Sequence, residues 1–226
     1  MAVASGPDPD FPCLSENERI QFPSAENAED KSVIAWGANL SPGVLLSAYE
    51  QGIFPWYSEG DPVIWHSPDP RFVLFPEKLH VSASMKKVLN RGDFEITFDN
   101  DFPAVITACS QKKREGQDGT WITADIIAAY TELHRLGFAH SAEAYCDGQL
   151  SGGCYGIRIK NAFFGESMFA HKSNASKAAF LTLAQNLFED GIRFIDCQTP
   201  TKHLGSLGAQ KIPRKTFISM LKDAIS

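Results

Sequence analysis

In SPGVLLSAYEQGIF, residues 41–54, apolar Val44, Leu45, Leu46 and Tyr49 follow Ser41 and Pro42 and stop at Gly52. This pattern predicts a helix with a serine N-cap, a proline at its first position and a glycine stop. Around it, FPWYSEGDPVIWHSPDPRFVLF is rich in Pro and Trp and turns at Gly60-Asp61-Pro62 and Pro68-Asp69-Pro70. Residues 1–72 therefore read as a small loop-rich domain, its first 30 residues weakly structured. From residue 73 to 226 the periodicity is regular. It predicts a helix over 82–91, a strand at FEITF, a helix over 101–110, and a longer helix after Thr123 whose Ile126, Ile127, Tyr130, Leu133 and Leu136 form one stripe that Gly137 closes. Three strands joined at Asp147-Gly148 and Lys160-Asn161, the helix NASKAAFLTLAQNLFEDG and the strand IRFIDCQ complete an α+β unit.

Composition narrows the class. With 226 residues and 43% hydrophobic content the chain can build a sizeable core. No apolar run reaches membrane-spanning length and the start lacks a secretory signal, so a cytoplasmic protein without membrane attachment is expected, and a monomer. The five cysteines form no CxxC pair and are odd in number, which argues for reduced thiols and against a zinc ribbon. Of the net charge of −6, residues 1–31 supply −5, with seven acids against Arg19 and Lys31. The rest is nearly neutral, so local clusters decide any nucleic-acid role.

The chemistry gathers in IRFIDCQTP, residues 192–200, where Asp196 and Gln198 interrupt the apolar pattern. Alternation along a strand predicts that Phe194, Asp196 and Gln198 share one face, a carboxylate beside an amide. Either the two satisfy backbone groups at a strand end or they form a site.

Seven stretches in order, GIFPWYSEGDPVIWHSPDPR, GTWIT, AYTELHRLGFAHS, GGCYG, FFGESMF, NASK and IDCQ, resemble the leucyl/phenylalanyl-tRNA–protein transferases of bacteria. The likeness runs over residues 32–220. It implies a GNAT-like acyltransferase domain that moves Leu, Phe or Met from a charged tRNA to a protein with N-terminal Arg or Lys, marking it for N-end rule degradation, with no metal and no cofactor. It also implies that Asp196 and Gln198 are catalytic and that Glu166 and Ser167 bind substrate. Cys154, Phe163, Leu183 and Leu187 then line the donor pocket. Tyr49, Trp56, Trp121 and Tyr130 are the aromatic residues for stacking on the terminal adenosine. Lys86, Lys87 and Arg91 on one helix and Lys112, Lys113 and Arg114 in a loop are the candidate phosphate contacts.

An activated ester and an amine form an amide downhill, so position and modest proton management suffice. Three rivals remain: an acetyl-CoA-dependent GNAT enzyme, a non-catalytic reader of basic N-termini through Glu166 and Asp196, and a hydrolase using Cys197. The first lacks a glycine in ESMFAHKSNASK, where a pyrophosphate turn is expected. The third lacks a histidine at a diagnostic spacing.

Overall fold

The computed structural model describes residues 5–28, 32–112 and 120–226. Helix α1, Pro42–Glu50, starts behind Ser41 as its sequence predicts. The Ser41 hydroxyl, however, accepts the Leu14 N–H at 3.0 Å in place of a helix amide. Around α1 runs a three-stranded antiparallel sheet in the order β1 (Val33–Trp36), β3 (Ile64–His66), β2 (Phe54–Pro55).

Residues 5–28 contain little regular structure yet are pinned along α1. Gly43 N–H donates to Leu14 O (3.0 Å), Ile20 N–H to the Ser47 hydroxyl (2.9 Å) and Phe22 N–H to Gln51 Oε1 (3.0 Å). A Cβ on Gly43 would meet Ser15 O at 2.4 Å, so only glycine admits this strap. Its hydrogen bonds go to a helix and its side chains, which is why no strand or helix period marks it.

The second sheet has seven strands in the order β10 (Gln210–Ile212), β4 (Arg71–Leu74), β9 (Phe194–Asp196), β8 (Ala162–Ala170), β7 (Gln149–Ile159), β6 (Ala139–Cys146), β5 (Glu95–Phe98). All neighbours are antiparallel except β8 and β9. The predicted turns close the hairpins, with Asp147, Gly148 and Lys160 at positive φ. One face packs α2 (Ala83–Arg91) and α5 (Ala175–Glu189), the apolar stripe of α5 contributing Phe180, Leu183 and Leu187. The other face carries α3 (Phe102–Ser110), α4 (Ala124–Arg135) and α7 (Arg214–Ile225) and shares its core with α1 and the small sheet. The C-terminal run α6 (Lys202–Ser206), β10 and α7 has no counterpart in the sequence reading, which ends at IDCQ. No helix among the described residues is long and apolar enough to cross a membrane.

Candidate active site

Parallel strands β8 and β9 pair only from Ala162 opposite Phe194 to Phe164 opposite Asp196. There β9 ends while β8 continues to Ala170, and the strands part into a cavity of about 560 Å³. A β-bulge aims the central acid into it. The β7–β8 register passes from Tyr155 opposite Ser167 to Gly156 opposite Gly165, leaving Glu166 as the extra residue. Bulges commonly redirect a side chain in this way beside a site.

Glu166 is 9% exposed, and its Oε1 accepts from Gln198 Nε2 at 2.8 Å across the gap between the strands. Its Oε2 is buried without a partner in hydrogen-bond geometry. Burial pushes its pKa up to about 8, helped by the charge of Asp196 and opposed by the Tyr49 hydroxyl, Arg71 and Gln198. An acid poised there exchanges protons with an amine near neutrality.

Asp196 is fully buried and stands behind the cavity wall. Its two oxygens are gripped by Arg71, with Nε to Oδ1 at 2.9 Å and Nη2 to Oδ2 at 2.6 Å. Oδ1 also accepts the Gln198 N–H at 2.9 Å. This corrects the single-face expectation. Phe194 and Asp196 do face the same way, Phe194 meeting the Phe217 ring and Asp196 the Arg71 guanidinium that lies over that ring, but the strand stops at Asp196 and Gln198 takes a left-handed φ of 60°. The turn swings the Gln198 amide out, so that consecutive Cys197 and Gln198 both line the cavity. A carboxylate bound on both oxygens by a guanidinium holds its neighbours in place; it has no free edge for a substrate proton.

The apolar part of the cavity is built by Cys154, Phe163, Phe180 and Leu183, with Met168 packed against them. Leu187 lies one turn further along α5 in the core and does not line the cavity, a correction to its expected place. Phe180 and Met168 were not among the expected pocket residues; Phe180 shares the α5 face with Leu183, and that spacing was the available signal. Trp56, 37% exposed, and half-buried Trp121 stand in the lining with exposed Lys112, whose Nζ donates to Met168 O at 3.3 Å.

Tyr49 and Tyr130 are not stacking platforms. Both are fully buried behind Glu166, their hydroxyls bonded to each other, and burial followed by the Glu166 charge raises both pKa values. Their places on the inward stripes of α1 and α4 explain this: a helix stripe that reads as core is core. Ser167 lines the cavity beside Glu166. Lys86 and Lys87 sit on the exposed face of α2, outside the cavity lining, and Arg91 there is paired with Asp93 at 2.6 Å. Lys113 and Arg114 lie outside the described residues. Cys197 faces the cavity, but burial and then the Asp196 charge push its thiol pKa well up, which disfavours a nucleophilic role. Among the described residues no group of His, Cys, Asp and Glu has the arrangement of a metal site.

The profile of the leucyl/phenylalanyl-tRNA protein transferase family matches residues 73–222, and that of the family's N-terminal domain matches residues 38–69. The leucyl/phenylalanyl-tRNA–protein transferase of Myxococcus xanthus (strain DK1622) is 52% identical over 212 residues, 94% of this chain and 91% of that protein. The enzyme of the same name from Anaeromyxobacter sp. (strain Fw109-5) is 50% identical over 206 residues, covering 91% and 88%. Among solved structures, L-PGS from Bacillus licheniformis overlaps 60% of this chain and 48% of its own at 14% identity and a TM-score of 0.42, a slight likeness.

Proposed function

This chain belongs to the leucyl/phenylalanyl-tRNA protein transferase family, and on that premise we propose that it joins Leu, Phe or Met from charged tRNA to proteins beginning with Arg or Lys. The amine nitrogen of the acceptor attacks the ester carbonyl, the bond to the ribose oxygen breaks, and the amine proton ends on that oxygen. The observation that carries the reading is the Glu166–Gln198 bridge at 2.8 Å in a cavity of about 560 Å³ whose other end is apolar.

Cys154, Phe163, Phe180 and Leu183 hold the donor side chain, where any polar group meets carbon or a buried thiol. Trp56 and Trp121 take the terminal adenosine at the rim, each such stack being worth about 1–3 kcal/mol. Gln198 gives an Nε2 hydrogen to Glu166, which leaves its Oε1 to accept from the attacking amine. Glu166, held at Oε1 by Gln198 in the cavity wall, faces the acceptor amine. An α-amino group has a pKa of about 7.7–8.0, so Glu166, pushed up to about 8, is matched to take its proton. Asp196 positions the Gln198 turn.

We infer a monomeric enzyme that works in the cytoplasm, where charged tRNA is supplied. The added residue marks the acceptor for N-end rule degradation. Mixing the protein with Phe-charged tRNA and a peptide beginning with Arg tests this: the peptide gains one Phe residue by mass. An unchanged mass, or acetylation when acetyl-CoA is supplied, overturns it.

A further inference from the structure

Arg71, the first residue of β4, is fully buried. Besides its two bonds to Asp196 it donates from Nη1 to Gly52 O at 3.1 Å. The Phe54 and Phe217 rings also lie against its guanidinium, at 4.9 Å and 4.5 Å from its central carbon. A planar group tied at three nitrogens and flanked by rings cannot turn. Gly52 and Phe54 belong to the N-terminal unit and Phe217 to α7, so this side chain joins the small sheet, the last helix and the centre of the large sheet.

From there an unbroken path of hydrogen bonds leads to the substrate groups. Asp196 Oδ1, fixed by Arg71 Nε, accepts the Gln198 N–H at 2.9 Å, and Gln198 Nε2 reaches Glu166 at 2.8 Å. Glutamine gains nothing from a φ of 60° unless its surroundings impose it. The Asp196 carboxylate holds it by the Gln198 N–H, and the Phe72 N–H donates to Gln198 O at 3.1 Å from β4. We propose that Arg71 is a positioning residue of the transfer reaction, acting through Asp196 to set the Gln198 turn, a role that rests on the transferase reading above.

The test uses the full-length protein with Phe-charged tRNA and an Arg-peptide. R71K keeps the charge but loses the fork, and R71Q keeps polarity without charge; thermal melts and near-ultraviolet circular dichroism establish which variants are folded. The expected result for folded R71K is an unchanged KM for charged tRNA and a kcat lower by on the order of 100-fold, the scale of a misplaced reacting group. Single-turnover mass analysis then compares Q198A with R71K/Q198A, and their equal residual rates place both residues in one chain of action. Folded R71K with wild-type kcat, or an R71K loss that appears undiminished in the Q198A background, overturns the proposal. E166Q and Q198A serve as separate controls. Wild-type activity in both overturns the transferase site itself, whereas losses in both beside an unaffected R71K remove only the role of Arg71.

Discussion

At the scale of single residues, Glu166 links activity to stability. Its pKa rises from an ordinary 4.5 to about 8 on folding, mainly through burial. Below pH 4.5 both folded and unfolded chains hold the proton; between 4.5 and 8 the unfolded chain releases it and the folded one does not, so stability falls as pH rises through that window. Glu166→Gln, neutral at every pH, is expected to melt later than the wild type at pH 8, by about 1 kcal/mol or more, with little difference at pH 4.5. The same variant should lose on the order of 100-fold in peptide extension, the scale of a lost general base. Melting curves at the two pH values and the mass assay check both statements. Residue chemistry was legible here as far as composition allows: an acid in an apolar strand, and an acid and an amide in another, marked the three side chains that the fold brings together. The grip of Arg71 was not legible, because a contact across 125 residues leaves no local pattern.

At the scale of elements, one bulge decides where Glu166 points. Gly156, opposite Gly165, lies where a Cβ would meet Phe164 O at 2.2 Å and the Phe163 ring at 2.5 Å. Gly156→Ala should force the strands apart, costing about 1–3 kcal/mol in denaturant unfolding and lowering kcat through Glu166. Helices and hairpins followed their sequence signals closely, since caps and turn dipeptides act over a few residues. The bulge and the early end of β9 escaped because both are set by the partner strand, which no window of the sequence contains. The inward tyrosines Tyr49 and Tyr130 show the reverse error, family position outweighing a stripe that already said core.

At the scale of the whole molecule, the two sheets share one core, and the acidic strap over residues 5–28 belongs to it. Phe22, 6% exposed, meets the buried Trp65 ring edge-on at 5.0 Å. Phe22→Ala should therefore cost about 3 kcal/mol in unfolding free energy while leaving the donor KM unchanged. For a chain of net charge −6 with Lys112 as the exposed cation in the cavity lining, few ionic contacts to charged tRNA are expected. The affinity for tRNA should fall with added salt along a shallow line on logarithmic axes, and Lys112→Ala should make that line shallower still. A steep line, unaltered by that substitution, would place the phosphate track elsewhere.

The parting of β8 from β9 means that the opening is made by main chain, while Cys154 of β7 and Leu183 of α5 bring to the apolar wall side chains from elements other than the two that part. On the proposed reading, these two positions tune size preference from elements that carry none of Glu166, Asp196 and Gln198. Substitutions at Cys154 or Leu183 are therefore expected to change which amino acid is transferred while the Glu166–Gln198 bridge stays in place.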